Sequence, residues 1–578
     1  MIDAGLALIA FVLAFAFPKA CSRMFLRIEC ALKPLAHRKA LSVFVVGASA
    51  FLLRLAILPF CPIPQPFTQD DFSFLLAAHT FAHGRLANPT PAMWMHFESF
   101  QIMMKPTYMS MYFPAPGLAL AAGKVLTGHS WFGLLVVTAL MCAALCWALQ
   151  AWLPPTWALL GGFIAVLRLG LFSYWINTYS GGASVAALGG ALVIGSLPRL
   201  MRGASLRHGI LLAIGIIILA TSRPYEGLLL CLPVLFVLVR WIYKGKNRPP
   251  YAVLMRRAAL PLLLILLAAA WMGYYNDRVN GSPLTPPYKI DRATYAIVPY
   301  WVWQSPLPQP VYHNDQLRDF YTHQEFSYYH SLHTLHGFLL KTFFLKPLRM
   351  VLFFAGFALI PPLFMSRRVI KDRRTRFLLI CLSILIAGML METFLSPHYI
   401  SPFTVVFYAL GLQAMRHLRL WRPGNQPVGL ALVRFSVALC FILAVIRVNA
   451  EPLHLRLATW PSGDWAAEWY GPGQSGAPRA RVEAWLDHQP GKQLAIVHYA
   501  PEHSSLSEWV YNAANIDSAK VIWARDLGPA QNAQLIQHYK NRTVWLVQPD
   551  TDPPSVTPYP KPALGAQATT YPNPDGPA

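Results

Sequence analysis

The sequence has little charge for its length. Only 13% of its 578 residues are Asp, Glu, Lys or Arg, whereas 55% are hydrophobic and the mean hydropathy is +0.40. A water-soluble protein of this size needs more charge to cover its surface, so that class is excluded. Apolar stretches that can cross a hydrocarbon core of about 30 Å recur along the chain. The composition therefore indicates a protein that crosses a lipid bilayer many times.

Acidic residues are especially scarce. The chain has 25 Asp and Glu against 48 Lys and Arg, which gives a net charge of +23. Such a balance is also typical of nucleic-acid-binding proteins, because basic proteins bind polyanions. Here, however, most positive charges lie in short loops between apolar segments, where membrane topology explains them. We therefore expect the lipid bilayer, and no nucleic acid, as a partner.

Cysteine pairs and a secretory signal are also missing. Five of the eight cysteines lie in apolar segments and Cys61 lies in a loop, so the pattern argues against a disulfide framework. At the N-terminus, Asp3 precedes the first apolar run, and the positive residues follow this run instead of leading it. This order is the reverse of a secretory leader.

Apolar runs predict about 11–12 transmembrane helices. Lys and Arg cluster in alternate loops between them, and by the positive-inside rule those loops are cytoplasmic. The N-terminus, the 60–130 loop, the 276–341 loop and everything after 448 are then on the outside. The predicted spans are 3–18, 41–59, 131–152, 155–176, 183–198, 208–221, 226–243, 258–275, 342–364, 377–395, 402–415 and 428–448.

Four regions follow from these patterns. The fold class is an all-α polytopic membrane protein with a small C-terminal α/β extracytoplasmic domain. In that domain, 493–499, 520–524 and 543–547 read as strands, with helices at 504–514 and 529–540. Interfacial helices are expected at 71–84 and 116–127. The regions are 1–40 (an extra N-terminal span and a basic segment), 41–448 (the transmembrane domain), 449–550 (the α/β domain) and 551–578 (a Pro-rich tail).

The most informative residues are Asp70 and Asp71, which are adjacent in the 60–130 loop. Paired carboxylates at a membrane surface can bind a metal or accept a proton from an attacking hydroxyl. Alternatively, one of them caps the helix that follows, since Asp before an apolar periodic run is common at a helix start. The segment containing His96 and Glu98 either adds an acidic ligand near Asp70 or forms an ordinary hydrogen-bonded loop.

Charges near predicted span boundaries provide further candidates. Arg223 and Glu226 need partners because an uncompensated charge near hydrocarbon is costly. They either bind a charged substrate or neutralise each other. Lys105 and His398 are further candidate cations on the outside.

Three segments resemble motifs of the GT-C membrane glycosyltransferases. Asp70 to Gly84 is similar to their first outer loop, in which an acidic pair opens an interfacial helix ending in Gly. Tyr112 to Gly117 resembles the segment that leads into the next helix, and His398-Tyr399 to Pro402 resembles a segment at the outer end of a late span. The resemblance covers about 41–448 and is nearest to bacterial protein O-mannosyltransferase-like and lipid A aminoarabinose transferase-like proteins. Two positions depart from the pattern, since Asp71 replaces the usual Glu and His398 replaces an Arg.

The resemblance implies an enzyme of the bacterial inner membrane that works on the periplasmic side. It would transfer a sugar from a polyprenyl-phosphate donor to a hydroxyl of a glycan, lipid or protein, with inversion. Asp70 matches the position of the base, and Asp71 that of a helper or metal ligand, with Mg²⁺ or Mn²⁺ as candidate cofactor. Arg223, Glu226, His398, Tyr399, Lys105 and Tyr112 are the implied substrate- and phosphate-binding residues.

Two other classes compete with this interpretation. A transporter or flippase usually places ionisable residues near mid-membrane and is built from two similar halves, which this chain does not show. A non-catalytic scaffold would use its C-terminal domain to bind a partner and would tolerate loss of Asp70.

Overall fold

The computed structural model describes residues 2–180, 182–245, 248–450, 452–455 and 476–560. Residues 456–475 of the predicted C-terminal domain lie outside these described residues. So does most of the predicted Pro-rich tail, from 561 onward.

Within the described residues, six helices are long and apolar enough to cross a membrane, and a seventh candidate is a pair of segments, 361–371 and 376–391, bent by 110°. The helices at 2–16, 155–171 and 206–220 match predicted spans but are shorter than the roughly 20 residues that a straight crossing needs. The predicted class, an all-α polytopic membrane protein with a small C-terminal α/β unit, is confirmed.

The helices of the membrane region and its loops are numbered in chain order. The predicted interfacial helices correspond to α4 Gln69–Ala82 and α5 Pro114–Thr127. The helices are α1 Ile2–Ala16, α2 Ser22–His37, α3 Lys39–Ala56, α4 Gln69–Ala82, α5 Pro114–Thr127, α6 Trp131–Leu149, α7 Pro155–Ala165, α8 Tyr174–Asn177, α9 Ala183–Gly203, α10 Leu206–Ala220, α11 Pro224–Lys244, α12 Tyr251–Asn280, α13 Pro287–Tyr295, α14 Asp315–Asp319, α15 Phe326–Leu332, α16 Leu335–Phe338, α17 Lys346–Phe354, α18 Ser366–Lys371, α19 Arg376–Met391, α20 Thr404–Leu418 and α21 Val428–Val448.

Small residues let the central helices approach closely. A Cβ on Gly190 of α9 would lie 1.9 Å from the carbonyl oxygen of Pro402, so only glycine fits there. Close backbone contact of this kind is a common packing device between membrane helices. It fixes the segment before α20, which carries His398 and Tyr399, against α9.

Three regions predicted to share the outside do meet on one face of the helix bundle, here called the loop face. Tyr295 Oη donates to Glu98 Oε1 at 2.9 Å and so joins the 276–341 loop to the 60–130 loop. The C-terminal domain contacts both loops, because Tyr108 Oη donates to Asn512 O at 2.6 Å and Ser505 Oγ donates to Gln324 Oε1 at 2.8 Å. That this face is periplasmic stays a prediction.

The C-terminal domain is built on a sheet of four strands, β3 Lys492–Val497, β4 Val521–Arg525, β5 Arg542–Gln548 and β6 Ser555–Pro558, in the order β4-β3-β5-β6. The first three strands in that order are parallel and β6 is antiparallel. The three predicted strands are confirmed to within two residues. The elements are α22 Ala477–His488, β3 Lys492–Val497, β4 Val521–Arg525, α23 Pro529–His538, β5 Arg542–Gln548 and β6 Ser555–Pro558; a two-stranded ribbon, β1 Ile102–Met103 and β2 Met109–Ser110, lies in the 60–130 loop.

The predicted helix at 504–514 is wrong, because this segment forms no helix. Glu508 Oε1 accepts hydrogen bonds from the backbone N–H groups of Trp509 and Val510, at 2.9 and 2.8 Å. A side chain that binds its own neighbouring backbone offers an alternative to helical hydrogen bonds. The segment instead runs along the 60–130 loop, where Glu508 N donates to Phe67 O at 3.2 Å.

Candidate functional site

The acidic pair opens α4 at the loop face, and Asp71 caps this helix. Asp71 Oδ2 accepts from the backbone N–H groups of Phe67 and Thr68, both at 3.1 Å, while Thr68 Oγ1 accepts from Asp71 N. This reciprocal arrangement is a capping box. Asp71 Oδ1 accepts a third bond, from Tyr179 N at 2.7 Å. Burial raises the pKa of Asp71 to about 6 even though these bonds favour the charged form.

Asp70 has different surroundings from its neighbour. It is only partly buried, and its Oδ1 accepts a hydrogen bond from the hydroxyl of Tyr112. Burial raises the pKa of Asp70, while hydrogen bonds from Tyr112 and Gln101 and the charge of Arg223 oppose this shift. The ring of Tyr112 stacks on Phe74 with centroids 4.3 Å apart. Asp70 is therefore held in one position but remains accessible.

Gln101 is a neighbour of Asp70 that the sequence did not indicate. Its backbone φ is +60°, which is uncommon for a residue other than glycine. Its carbonyl oxygen accepts from Ser73 Oγ at 2.7 Å and from Met111 N at 3.2 Å. The unusual backbone thus turns the amide side chain toward Asp70, and such conformations cluster at functional sites.

Arg223 lies immediately before α11 and close enough to Asp70 for the two charges to interact. Its guanidinium sits 4.6 Å from the centroid of the Tyr399 ring. Burial lowers the pKa of Arg223, but the Glu226 carboxylate and the phenols of Tyr399 and Tyr112 raise it above its ordinary value. Arg223 is therefore a permanent positive charge next to Asp70.

His398 is close to Arg223 but carries no charge. Its Nδ1 lies 2.9 Å from the hydroxyl of Tyr174. Burial and the charge of Arg223 lower the pKa of His398 well below its usual value. The ring of Tyr399 meets it edge-on at 4.7 Å. The positive charge at this end of the site thus comes from Arg223 and not from His398.

Glu392 and Lys346 are further neighbours of the site, and neither was predicted. Lys346 Nζ donates to Glu392 O at 2.9 Å. Glu226 and Arg223 lie near enough to Glu392 to interact with it electrostatically. Lys346 lies in the predicted apolar span 342–364 and Glu392 in 377–395. Glu392 is the one charged residue in its run, which is a functional signal that could have pointed to it.

Below Lys346, an apolar cavity of about 490 Å³ opens between α17, α19 and α20. Its wall includes Met350, Phe354, Met389 and Phe407 along with Lys346. The cavity therefore has hydrocarbon surroundings along its length and a cationic group at the end nearest Glu392. We call it the apolar groove.

Six of the ten predicted site residues interact with one another in one cluster, and Asp71 lies beside it as the helix cap. The other three, Lys105, His96 and Glu98, form a separate group beneath the C-terminal domain. Lys105 Nζ sits 4.5 Å from the centroid of Trp94, and His96 Nδ1 lies 3.0 Å from Arg525 O. The six in the cluster are Asp70, Tyr112, Arg223, Glu226, His398 and Tyr399.

The residues of this cluster do not fit a divalent cation. Within the described ranges, no three His, Cys, Asp or Glu side chains are grouped closely enough to hold a metal ion. Both oxygens of Asp71 already accept backbone N–H groups, and Asp70 faces the Arg223 guanidinium. Mg²⁺ and Mn²⁺ prefer several oxygen ligands, which this arrangement does not supply.

Together, the fold and the site define a polytopic membrane protein in which a carboxylate, a guanidinium and several phenols meet above an apolar groove. Neither a protein-family model nor a curated protein matches the chain. Among solved structures, the fold resembles that of ArnT from Cupriavidus metallidurans, both apo (TM-score 0.46, 14% identity) and bound to undecaprenyl phosphate (TM-score 0.46, 12% identity). In each case 88% of this chain and 92% of the other are covered.

A second similar structure is the Archaeoglobus fulgidus oligosaccharyltransferase with a tethered acceptor peptide. Its TM-score is 0.44 at 12% identity, with 87% of this chain and 68% of that chain covered.

Proposed function

We propose that this protein is a membrane glycosyltransferase. It transfers a sugar from a polyprenyl-phosphate donor to a hydroxyl of a glycan, lipid or protein, with inversion, at the periplasmic face of a bacterial inner membrane. The observation that carries the proposal is that Arg223 lies close enough to the partly buried Asp70 for its charge to act on that carboxylate. A base and a phosphate-binding cation are the two groups that this reaction needs.

Asp70 is the proposed base. A carboxylate in hydrogen-bond reach of an acceptor hydroxyl can take its proton as the oxygen attacks the anomeric carbon. The raised pKa of Asp70 brings its basicity closer to neutral pH, which favours proton transfer. Tyr112 and Gln101 orient the carboxylate. Asp71 acts as a helper that fixes the start of α4.

Arg223 is the proposed phosphate ligand. As the new bond to the acceptor oxygen forms, the bond between the anomeric carbon and the phosphate oxygen breaks, and its electron pair stays on the phosphate. A preorganised guanidinium stabilises this growing negative charge and can bind two phosphate oxygens at once. The ring of Tyr399 holds Arg223 in place, and His398 is a neutral neighbour.

The apolar groove is the proposed site for the isoprenoid chain of the donor. Its hydrocarbon lining suits a polyprenyl chain, and Lys346 at its end provides a second cation near the phosphate. Attack from the opposite side of the sugar explains inversion at the anomeric carbon. Since the donor set does not fit a metal, every step above uses protein groups alone.

The test compares cells that carry the parent gene, a deletion, Asp70→Asn and the control Asp315→Asn. Asp315 is an exposed carboxylate of the same face, with 77% of its side chain accessible. Mass spectrometry of surface lipids, glycans and proteins should reveal one glycosylated product that is lost in the deletion and in Asp70→Asn. The control should keep it. A product unaffected by Asp70→Asn, in cells that express the variant normally, contradicts the proposal.

A further inference from the structure

A polar cavity lies on the face of the helix bundle that is opposite to the loop face. It measures about 690 Å³ and is lined by the turn between α18 and α19 and by the end of α20. Five of its lining residues are cations: Arg368, Lys371, Arg374, Arg416 and Arg419. We call it the basic pocket. Because α20 begins beside His398 and rises about 1.5 Å per residue over 15 residues, the pocket lies about 20 Å from the candidate active site.

The positive charge of the basic pocket is not neutralised locally. Among its described lining residues, Asp372 is the one carboxylate. Its oxygens accept from Gln413 Nε2 at 2.6 Å and from Arg374 N at 2.9 Å, and Oδ2 lies 3.2 Å from His417 Nε2. Burial lowers the pKa of Arg416, and the nearby Arg374 lowers it further. The cations therefore face each other across a space large enough for an anionic group.

The rim of the basic pocket is apolar at Leu420, which lines the pocket and exposes 69% of its surface. Ile370, next to Lys371 in α18, exposes 64% of its surface and also lines the apolar groove. A soluble anion gains nothing from such surroundings, whereas a lipid presents a charged headgroup and hydrocarbon chains together. The positive-inside rule explains the cations, but it does not explain a cavity with an apolar rim.

We propose that the basic pocket binds the phosphodiester headgroup of an anionic phospholipid, with its acyl chains against Ile370 and Leu420. Basic pockets between membrane helices on the cytoplasmic side are suited to such headgroups. The guanidinium groups of Arg368 and Arg374 can form charge-assisted hydrogen bonds with phosphate oxygens. The bound lipid would stabilise the bend of 110° between 361–371 and 376–391.

The test uses the full-length protein in detergent with phosphatidylglycerol or phosphatidylcholine added. The pocket variant is Arg368→Gln/Lys371→Gln/Arg374→Gln. The control, Arg240→Gln/Lys244→Gln/Arg256→Gln, removes the same charge from another basic cluster whose side chains are exposed. Native mass spectrometry should show that the parent and the control retain phosphatidylglycerol about tenfold better than phosphatidylcholine. The pocket variant should retain both lipids equally.

Several outcomes overturn the proposal. Equal retention of the two lipids by the parent excludes an anionic headgroup site. Undiminished phosphatidylglycerol binding in the pocket variant excludes these residues. If glycerol phosphate raises the melting temperature of the parent as much as phosphatidylglycerol does, the ligand is a soluble anion instead. The single variant Lys371→Gln serves if the triple variant does not fold, and its preference for phosphatidylglycerol should fall measurably.

Discussion

Tyr511 of the C-terminal domain stacks on Phe72 of α4, with ring centroids 4.7 Å apart and planes inclined by 24°. Its hydroxyl lies 3.1 Å from Nδ1 of His79 on the same helix. The guanidinium of Arg479 also lies over Phe72, at 4.9 Å. Since α4 carries Asp70 in its first turn, the C-terminal domain holds the helix that presents the proposed base.

Replacing Tyr511 by Ala should therefore slow transfer without abolishing it. An aromatic pair contributes about 0.5–1.5 kcal/mol beyond area burial, so we expect the rate to fall about three- to tenfold as α4 loses its support. Initial rates in isolated membranes measure this. The control is Trp485→Ala, which removes an aromatic contact to Trp545 (5.1 Å) in the same domain. Equal losses in both variants would mean that the stack serves only domain stability.

The pH dependence of the rate should identify Asp70 as the base. Only its ionised form accepts a proton, so activity should rise with pH through the pKa of Asp70, which burial raises above its ordinary value. The hydrogen bond from Tyr112 opposes that shift. Tyr112→Phe should consequently raise the pKa further and move the acid limb of the kcat/KM profile to higher pH.

The control for this profile is Tyr295→Phe. Tyr295 also donates its hydroxyl to a buried carboxylate, that of Glu98, but outside the candidate active site. The acid limb of the Tyr295→Phe profile should match that of the parent. A shift of the Tyr112→Phe profile to lower pH would show that the limb belongs to another group.

The sequence predicted those site residues that lie at an end of a helix or span. Asp70, Arg223 and His398 all do, and such positions can be read from apolar periodicity. The same reasoning grouped His96 and Glu98 with Asp70 because they are near in sequence. In the structure, His96 instead contacts Arg525, which is 429 residues away. No local pattern encodes a contact at that separation.

Backbone conformation and burial account for the other omissions. Gln101 hydrogen-bonds Asp70 from a backbone with positive φ, and the sequence of a polar loop predicts neither feature. Asp70 and Asp71 are the same type of residue and differ only in what surrounds them. Backbone N–H groups take up the oxygens of Asp71, whereas Asp70 faces Arg223. Which of the two caps the helix could be assigned only from the structure, whereas Asp70 was already the candidate base by the resemblance to the GT-C motif.

Arg223 and His398 should respond differently to substitution. Arg223→Gln removes the charge proposed to stabilise the leaving phosphate, and loss of such a group typically costs about 10²- to 10³-fold in kcat. Arg223→Lys should recover part of this, because an ammonium keeps the charge but not the planar fork. His398→Gln should lower kcat by less than about tenfold, since the neutral ring only hydrogen-bonds Tyr174.

Single-turnover kinetics with the partly purified donor separates these effects from donor binding. Expression and detergent-extracted yield of each variant provide the control for folding. If His398→Gln proves as damaging as Arg223→Gln, the imidazole itself contacts the phosphate, and the division of roles between the two residues is wrong.

Transfer should not depend on a divalent cation. The oxygens of Asp71 are used by the backbone, and Arg223 supplies the positive charge that a metal would bring to the phosphate. Washing membranes with EDTA and assaying in its presence should change the initial rate by less than about twofold, because no step needs Lewis-acid help. A control with added Mg²⁺ or Mn²⁺ should not exceed the untreated rate. A large loss on chelation that Mn²⁺ restores would mean that Asp70 is a metal ligand, and that the pairing of Asp70 with Arg223 changes when substrate binds.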